Sequence, residues 1–161
     1  MSARSIEQPP AYNQRNAGFT LIEIMAVVLI IGLLSTIVGV SIFSQVDKGR
    51  ITAAGAQISN LEAVLELYRM DNAHFPTTEQ GLDALVSESS SSPEPRNFPP
   101  GGYIQKGRVP VDPWGNSYEY EQPGQNNSHS FDLWSLGADG KPGGEGVDAD
   151  LGNWGDYGLG T

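Results

Sequence analysis

The chain has 161 residues, no cysteine and a net charge of −10, from 19 acidic and 9 basic side chains. An acidic surface of this kind argues against a nucleic-acid partner, whose phosphates demand Lys and Arg, and is compatible with divalent cations. Without cysteine there is no disulfide framework and no lipoprotein anchor, so a domain exported to an oxidising compartment must rely on packing or on metal.

Near the N-terminus, Arg15-Asn16-Ala17-Gly18 leads into Phe19-Thr20-Leu21-Ile22-Glu23, after which no charge occurs until Asp47. As a helix, the 25 residues 19–43 would run about 37 Å, enough to cross a hydrocarbon core of roughly 30 Å with some tilt. A transmembrane helix is therefore expected there. Glu23 is the one charge inside it, and a carboxylate at mid-bilayer costs about 3 kcal/mol, less near the interface. Two explanations stand open. The carboxylate snorkels to the lipid surface at a helix start, where the macrodipole tolerates it, or the chain is cut after Gly18 and Glu23 pairs with the new Phe19 amine of a neighbouring copy. The apolar run is longer than the core of an ordinary secretory signal and has no Ala-x-Ala site behind it. Arg4 and Arg15 precede it and Lys48 and Arg50 come after it, so basic residues do not settle its orientation. The first 18 residues hold Arg4, Arg15 and Glu7, a net of +1, which leaves −11 for the rest.

No proline occurs between Pro10 and Pro76, so helix is expected to continue to about Asp71. Ile51, Ala54, Ile58, Leu61, Leu65 and Tyr68 recur at steps of three and four and form one apolar face, with Gln57, Asn60, Glu62, Glu66 and Arg69 opposite. That face is read as core. Gly32, Gly39, Gly49 and Gly55 weaken the helix by about 1 kcal/mol each relative to alanine and mark places where it could bend.

After Phe75-Pro76 the composition shifts to turn formers. A short helix is expected from Thr77 or Thr78, as N-cap, through Val86, and residues 87–95 read as an exposed loop. Strand candidates come next at Tyr103-Ile104, at residues 117–121 and at residues 130–135, with Pro123-Gly124-Gln125-Asn126-Asn127 as the connection between the last two. A three-stranded antiparallel sheet laid on the amphipathic half of the helix gives an α+β domain of roughly 100 residues. Asp112-Pro113-Trp114-Gly115 is a turn leading into the next strand, although its indole could also anchor a core or floor a sugar site.

Asp139, Glu145, Asp148 and Asp150 are interleaved with Gly140, Gly143, Gly144 and Gly146. Hard oxygen ligands on so pliable a backbone can surround calcium, which takes six to eight oxygens at about 2.4 Å, although a solvated acidic turn has the same composition. The spacing is not that of an EF-hand. His74 and His129 are the only histidines and no serine sits in a nucleophile elbow, so the chain is expected not to be an enzyme.

Gly18-Phe19-Thr20-Leu21-Ile22-Glu23-Ile24-Met25 resembles the processing site of type IV pilins and pseudopilins. Leu67-Tyr68-Arg69-Met70-Asp71-Asn72, Phe75-Pro76-Thr77-Thr78-Glu79-Gln80-Gly81-Leu82, Gly101-Gly102-Tyr103-Ile104, Asp112-Pro113-Trp114-Gly115, Leu136-Gly137-Ala138-Asp139-Gly140 and Gly152-Asn153-Trp154 narrow the resemblance to the major pseudopilins of type II secretion systems. The resemblance implies that residues 1–18 are a cytoplasmic leader, cut between Gly18 and Phe19 by a prepilin peptidase that methylates Phe19. By the same resemblance, residues 19–43 are the transmembrane and filament-core helix, with Glu23 in assembly. Residues 44–161 would then form a periplasmic domain, with the amphipathic helix at 44–72 and a calcium loop at 136–150. The implied fold is type IV pilin-like, and the implied calcium ligands are the Leu136 carbonyl, Asp139, a carbonyl near Gly146, Asp148 and Asp150, with the part of Glu145 open. A member of this family polymerises in the inner membrane into a filament that drives folded proteins across the outer membrane. The partners implied are further copies of the chain, minor pseudopilins, the peptidase, the inner-membrane platform and, indirectly, its ATPase. Relatives often carry a proline about twenty residues into the mature helix, where this chain has Gly39-Val40. Two other readings stay open: a type IV pilin proper, disfavoured by the missing cysteines, and a membrane-tethered calcium-dependent binding module.

Overall fold

The structure, a computed structural model, describes residues 18–155 and, over residues 36–44, the helical backbone alone. The predicted leader, apart from Gly18, lies outside the described residues. The chain divides into two compact units, Met1–Ser41 and Ile42–Thr161.

Helix α1 spans Leu21–Asn72, in agreement with the continuous helix expected from the missing prolines. Its start is fixed by a reciprocal pair. The Glu23 amide donates to Thr20 Oγ1 at 3.3 Å, and the Thr20 amide donates to Glu23 Oε2 at 3.5 Å. This Thr-x-x-Glu box satisfies two of the amides that a helix N-terminus leaves without partners. In the first unit, Phe19, Leu21, Ile22, Met25 and Leu29 are all more than 60% exposed, so the described stretch is apolar on every side and uncovered. Among the described residues no helix is long and apolar enough to cross a membrane. Within the predicted span, residues 19–43, the described side chains end at Ser35.

In the second unit the expected stripe is the core except at Ile51, which is only half-buried. Ala54, Ile58, Leu61, Leu65 and Tyr68 are each at most 3% exposed, and the last four pack with Leu82, Leu85, Tyr118, Tyr120, Phe131 and Leu133. Fully burying a Leu or Ile side chain contributes about 1.5–3 kcal/mol, so this face, more than helix propensity, holds the unit together. Gln57, on the expected polar face, is half-buried and accepts a hydrogen bond from the Tyr118 hydroxyl. The helix ends where Ala73 turns to a φ of 70°, its amide bonding the Arg69 carbonyl at 2.7 Å. Asn72, fully buried, donates to the Tyr103 hydroxyl and accepts from the Asn97 amide. Burial pushes the Tyr103 phenol up to about 12.

Tyr68 is fully buried, yet its hydroxyl has no hydrogen-bond partner. An unpaired buried hydroxyl costs about 1–3 kcal/mol, whereas the ring keeps its packing against Tyr103 and His74, at 5.3 and 6.0 Å between centroids. Tyr68→Phe is therefore expected to melt at the wild-type temperature or above it. A lower melting temperature for the variant would show that the hydroxyl contributes something its surroundings do not reveal.

Beyond the helix, three expectations need correction. The short helix does not begin at Thr77. Thr77 and Gln80 do form a reciprocal pair, each amide bonded to the other's side chain, but around a turn. Gly81, at φ 58° and ψ −162°, interrupts the chain before a 3-10 helix at Leu82–Leu85. Tyr103-Ile104 is not a strand. Both amides donate to the Leu85 carbonyl, which ties this segment to the 3-10 turn and away from any ladder. The sheet has the expected three antiparallel strands, but they are β1 at Glu119–Glu121, β2 at Asp132–Ser135 and β3 at Leu151–Gly152, in that order. Strand β3 pairs Leu151 with Ser135 and Gly152 with Trp134.

The β1–β2 connection is built on Asp132, which is 2% exposed. Burial opposes its charge, but the Asn126 amide and side chain and the Asn127 amide donate to its carboxylate, and together they hold its pKa below the usual range.

Candidate functional site

The acidic loop is the β2–β3 connection. It closes on itself through Ala138 N to Val147 O at 2.9 Å and Asp148 N to Glu145 O at 3.2 Å. Asp150 N to Gly143 O at 3.2 Å completes the closure. Two glycines allow this closeness. A Cβ on Gly137, at φ +68°, would lie 2.8 Å from the Asp148 carbonyl carbon, and one on Gly144, at φ +84°, would overlap the Asp148 carbonyl oxygen. No other residue fits either place without moving main chain.

Each predicted ligand has a defined place. Asp139 is exposed and its Oδ1 accepts from the Lys141 amide at 3.0 Å. Asp148 is half-buried in a 3-10 turn at Gly146–Asp148, its main chain pressed between Gly137 and Gly144. Asp150 Oδ2 accepts from the Gly143 amide at 2.9 Å, while Asp150 Oδ1 is buried with no partner. Leu136 is half-buried, and Gly146, at φ +64°, and Glu145 are exposed. Among the described residues no three Asp, Glu or His side chains gather into a cation cage. The structure thus draws the loop's main chain together without clustering its carboxylates.

Sequence reasoning missed the support beneath the loop. Asp112, 3% exposed, accepts from the Trp114 and Asn116 amides through Oδ1 and from the Ser135 hydroxyl through Oδ2. Ser135 Oγ accepts from Gly137 N at 3.2 Å, and Asn116 Nδ2 donates to Gly137 O at 2.8 Å. The Asp-Pro-Trp-Gly segment is the turn expected of it, with Gly115 N bonding Asp112 O at 3.0 Å. An Asp that opens a turn and bonds its own chain two residues on is the signal that could have identified Asp112.

At the other end, Gly18 and Phe19 are exposed and precede α1, and nothing lies within 4 Å of a Cβ placed on Gly18. Glu23 is in the first turn of the helix and engaged by Thr20 of its own chain.

Residues 41–154 match the family described as type II secretion system, protein G, and residues 13–39 match the prokaryotic N-terminal methylation motif. The chain belongs to the type II secretion system protein G family. It is 48% identical over 141 residues to the type II secretion system core protein G of Pseudomonas aeruginosa, covering 88% of this chain and 96% of that one. It is 46% identical over 141 residues to the protein of the same name from Vibrio cholerae, covering 88% and 93%. The crystal structure of the major pseudopilin from the type 2 secretion system of enterohaemorrhagic Escherichia coli superposes with a TM-score of 0.60 at 44% identity, over 70% of this chain and 92% of that one.

Proposed function

We propose that the chain is a structural subunit of the type II secretion pseudopilus, cut between Gly18 and Phe19, methylated at Phe19 and polymerised with copies of itself. The observation that carries this reading is the uncovered apolar segment of the first unit, from Phe19 to Leu34. A surface of that extent needs lipid or neighbouring helices around it. Before assembly, lipid of the inner membrane covers it, with the C-terminal domain in the periplasm. In the filament, neighbouring copies do, through heterologous contacts that do not close. The prepilin peptidase, the inner-membrane platform, its ATPase acting indirectly, and minor pseudopilins are the partners this role requires. Growth of the filament drives folded proteins across the outer membrane.

Glu23 is the assembly contact. Cleavage frees the Phe19 amine, and a neighbour's carboxylate satisfies it at low dielectric. Glu23→Val is expected to insert as well as wild type and to yield few filaments in electron micrographs of cells overproducing the chain. Wild-type yield from the variant would refute the pairing, and absence of filaments from wild type would refute polymerisation itself.

The loop between β2 and β3 is the second working part, a calcium site formed by the Leu136 carbonyl, Asp139, a carbonyl near Gly146, Asp148 and Asp150. Asp150 Oδ1 supports it, because a buried carboxylate oxygen without a donor is what a hard cation satisfies. So does the cleft of about 480 Å³ that Leu136, Pro142 and Asp150 share with Glu119, Glu121 and Asp132, an acidic approach that concentrates cations. Calcium held by these residues would tie the end of β2 to the start of β3.

A further inference from the structure

We infer that Asp112, acting through Ser135, and Asn116 are positioning residues for the cation site of the 136–150 loop, a role that rests on the calcium reading above. The Leu136 carbonyl and the Gly137 amide belong to one peptide group. In a trans peptide the two point in opposite directions, so whatever holds the amide also aims the carbonyl. Here the Gly137 amide donates to Ser135 Oγ at 3.2 Å, and the Ser135 hydroxyl donates in turn to the Asp112 carboxylate. Ser135 is fully buried and Asp112 nearly so, which leaves the chain of bonds no competing water. A carboxylate at the head of such a chain polarises each bond after it, and at its far end the Leu136 oxygen becomes a better donor to a cation.

Asn116 holds the next peptide group. Its Nδ2 donates to the Gly137 carbonyl at 2.8 Å, and the amide on the other side of that group, from Ala138, bonds the Val147 carbonyl at 2.9 Å. Asn116 Oδ1 also lies 3.2 Å from where a Cβ on Gly140 would stand, so the Asn116 amide packs against the turn that carries Asp139. Asn116 is itself fixed by Asp112, whose Oδ1 accepts the Asn116 amide at 2.8 Å. Two consecutive peptide groups at the entrance of the loop are therefore oriented by a turn more than twenty residues earlier. Through Val147 they are set in register with Asp148.

The test measures calcium affinity by titration calorimetry on the full processed chain in detergent, for wild type, Asn116→Ala, Ser135→Ala and Asp148→Ala. Residues that orient metal ligands typically change affinity 10- to 100-fold when removed. Asn116→Ala and Ser135→Ala are expected to weaken binding by about that factor, and Asp148→Ala to abolish it. The difference between melting temperatures with calcium and with chelator is read alongside. A merely structural role would lower both temperatures equally, whereas a positioning role shrinks the difference. Asn116 is half-buried and its replacement leaves the core intact, so this variant decides the matter if Ser135→Ala fails to fold. Wild-type affinity in Asn116→Ala would overturn the inference while leaving the calcium site standing. No binding by wild type would overturn the calcium reading and the inference with it.

Discussion

Replacing Gly18 by leucine is expected to leave residues 1–18 on the chain. Gly18 lies before α1 with nothing within 4 Å of an added Cβ, so a larger side chain there meets no steric obstacle among the described residues. Any loss of cleavage then reports on the peptidase, whose site must accept the residue before the cut. Glycine, the smallest residue, leading into an uncharged run is the feature it has to recognise. Intact-mass analysis of membrane-extracted protein should show wild type beginning at a methylated Phe19 and the variant beginning upstream. Filament formation should fail with it, because the Phe19 amine that Glu23 awaits is never released. Wild type that retained Met1 in cells containing the peptidase, or the variant cut at the normal yield, would sink this assignment.

The second large effect is expected from calcium. Asp139, Asp148 and Asp150 put three like charges on one short loop without bringing their carboxylates together, and among the described residues the one ion pair joins Arg69 to Glu66, on α1. A ligand that binds only the folded state stabilises it by about 2.7 kcal/mol at a hundred times its dissociation constant. For a domain of this size that corresponds to a rise in Tm of about 10–20 °C. The chain in detergent should therefore melt well above its chelated form. Asp139→Ala and Asp148→Ala should each remove most of the difference, and chelation should reduce filament formation. Equal melting temperatures with calcium and with chelator would reduce the loop to an acidic turn. An equal response to magnesium, which demands tight octahedral geometry, would mean that the site's selectivity has been misread.

Helix α1 was legible because its signals are local and repeated. The absence of proline, the three-and-four spacing from Ile51 to Tyr68 and the unbroken apolar run each recur over many turns, and a period of 3.6 is visible without knowing what the helix packs against. The N-terminal methylation motif was legible because it is a run of adjacent residues. The helix start was only half legible. Glu23 stood out as a charge in an apolar run, but its bond to Thr20 comes from a Thr-x-x-Glu pattern that its place in a predicted membrane span obscured. Tyr103-Ile104 misled because an aromatic and a β-branched residue side by side have strand propensity, and propensity yields when an acceptor such as the Leu85 carbonyl is already in place.

By itself, then, the sequence determined the long helix and its buried face, the N-terminal methylation motif and the acid and glycine content of the loop, since each is a property of adjacent or regularly spaced residues. Only the tertiary structure decided where the sheet ends and what carries the loop. Strand β3 is two residues long, too short for any periodicity. It exists because Asn153 bonds both the Leu133 amide and the Leu133 carbonyl, and because Trp154 folds over the bare face of Gly152. The link from Asp112 to Ser135 spans 23 residues. A bond between residues so far apart leaves no local pattern, because its free energy depends on the fold having first brought both groups out of water.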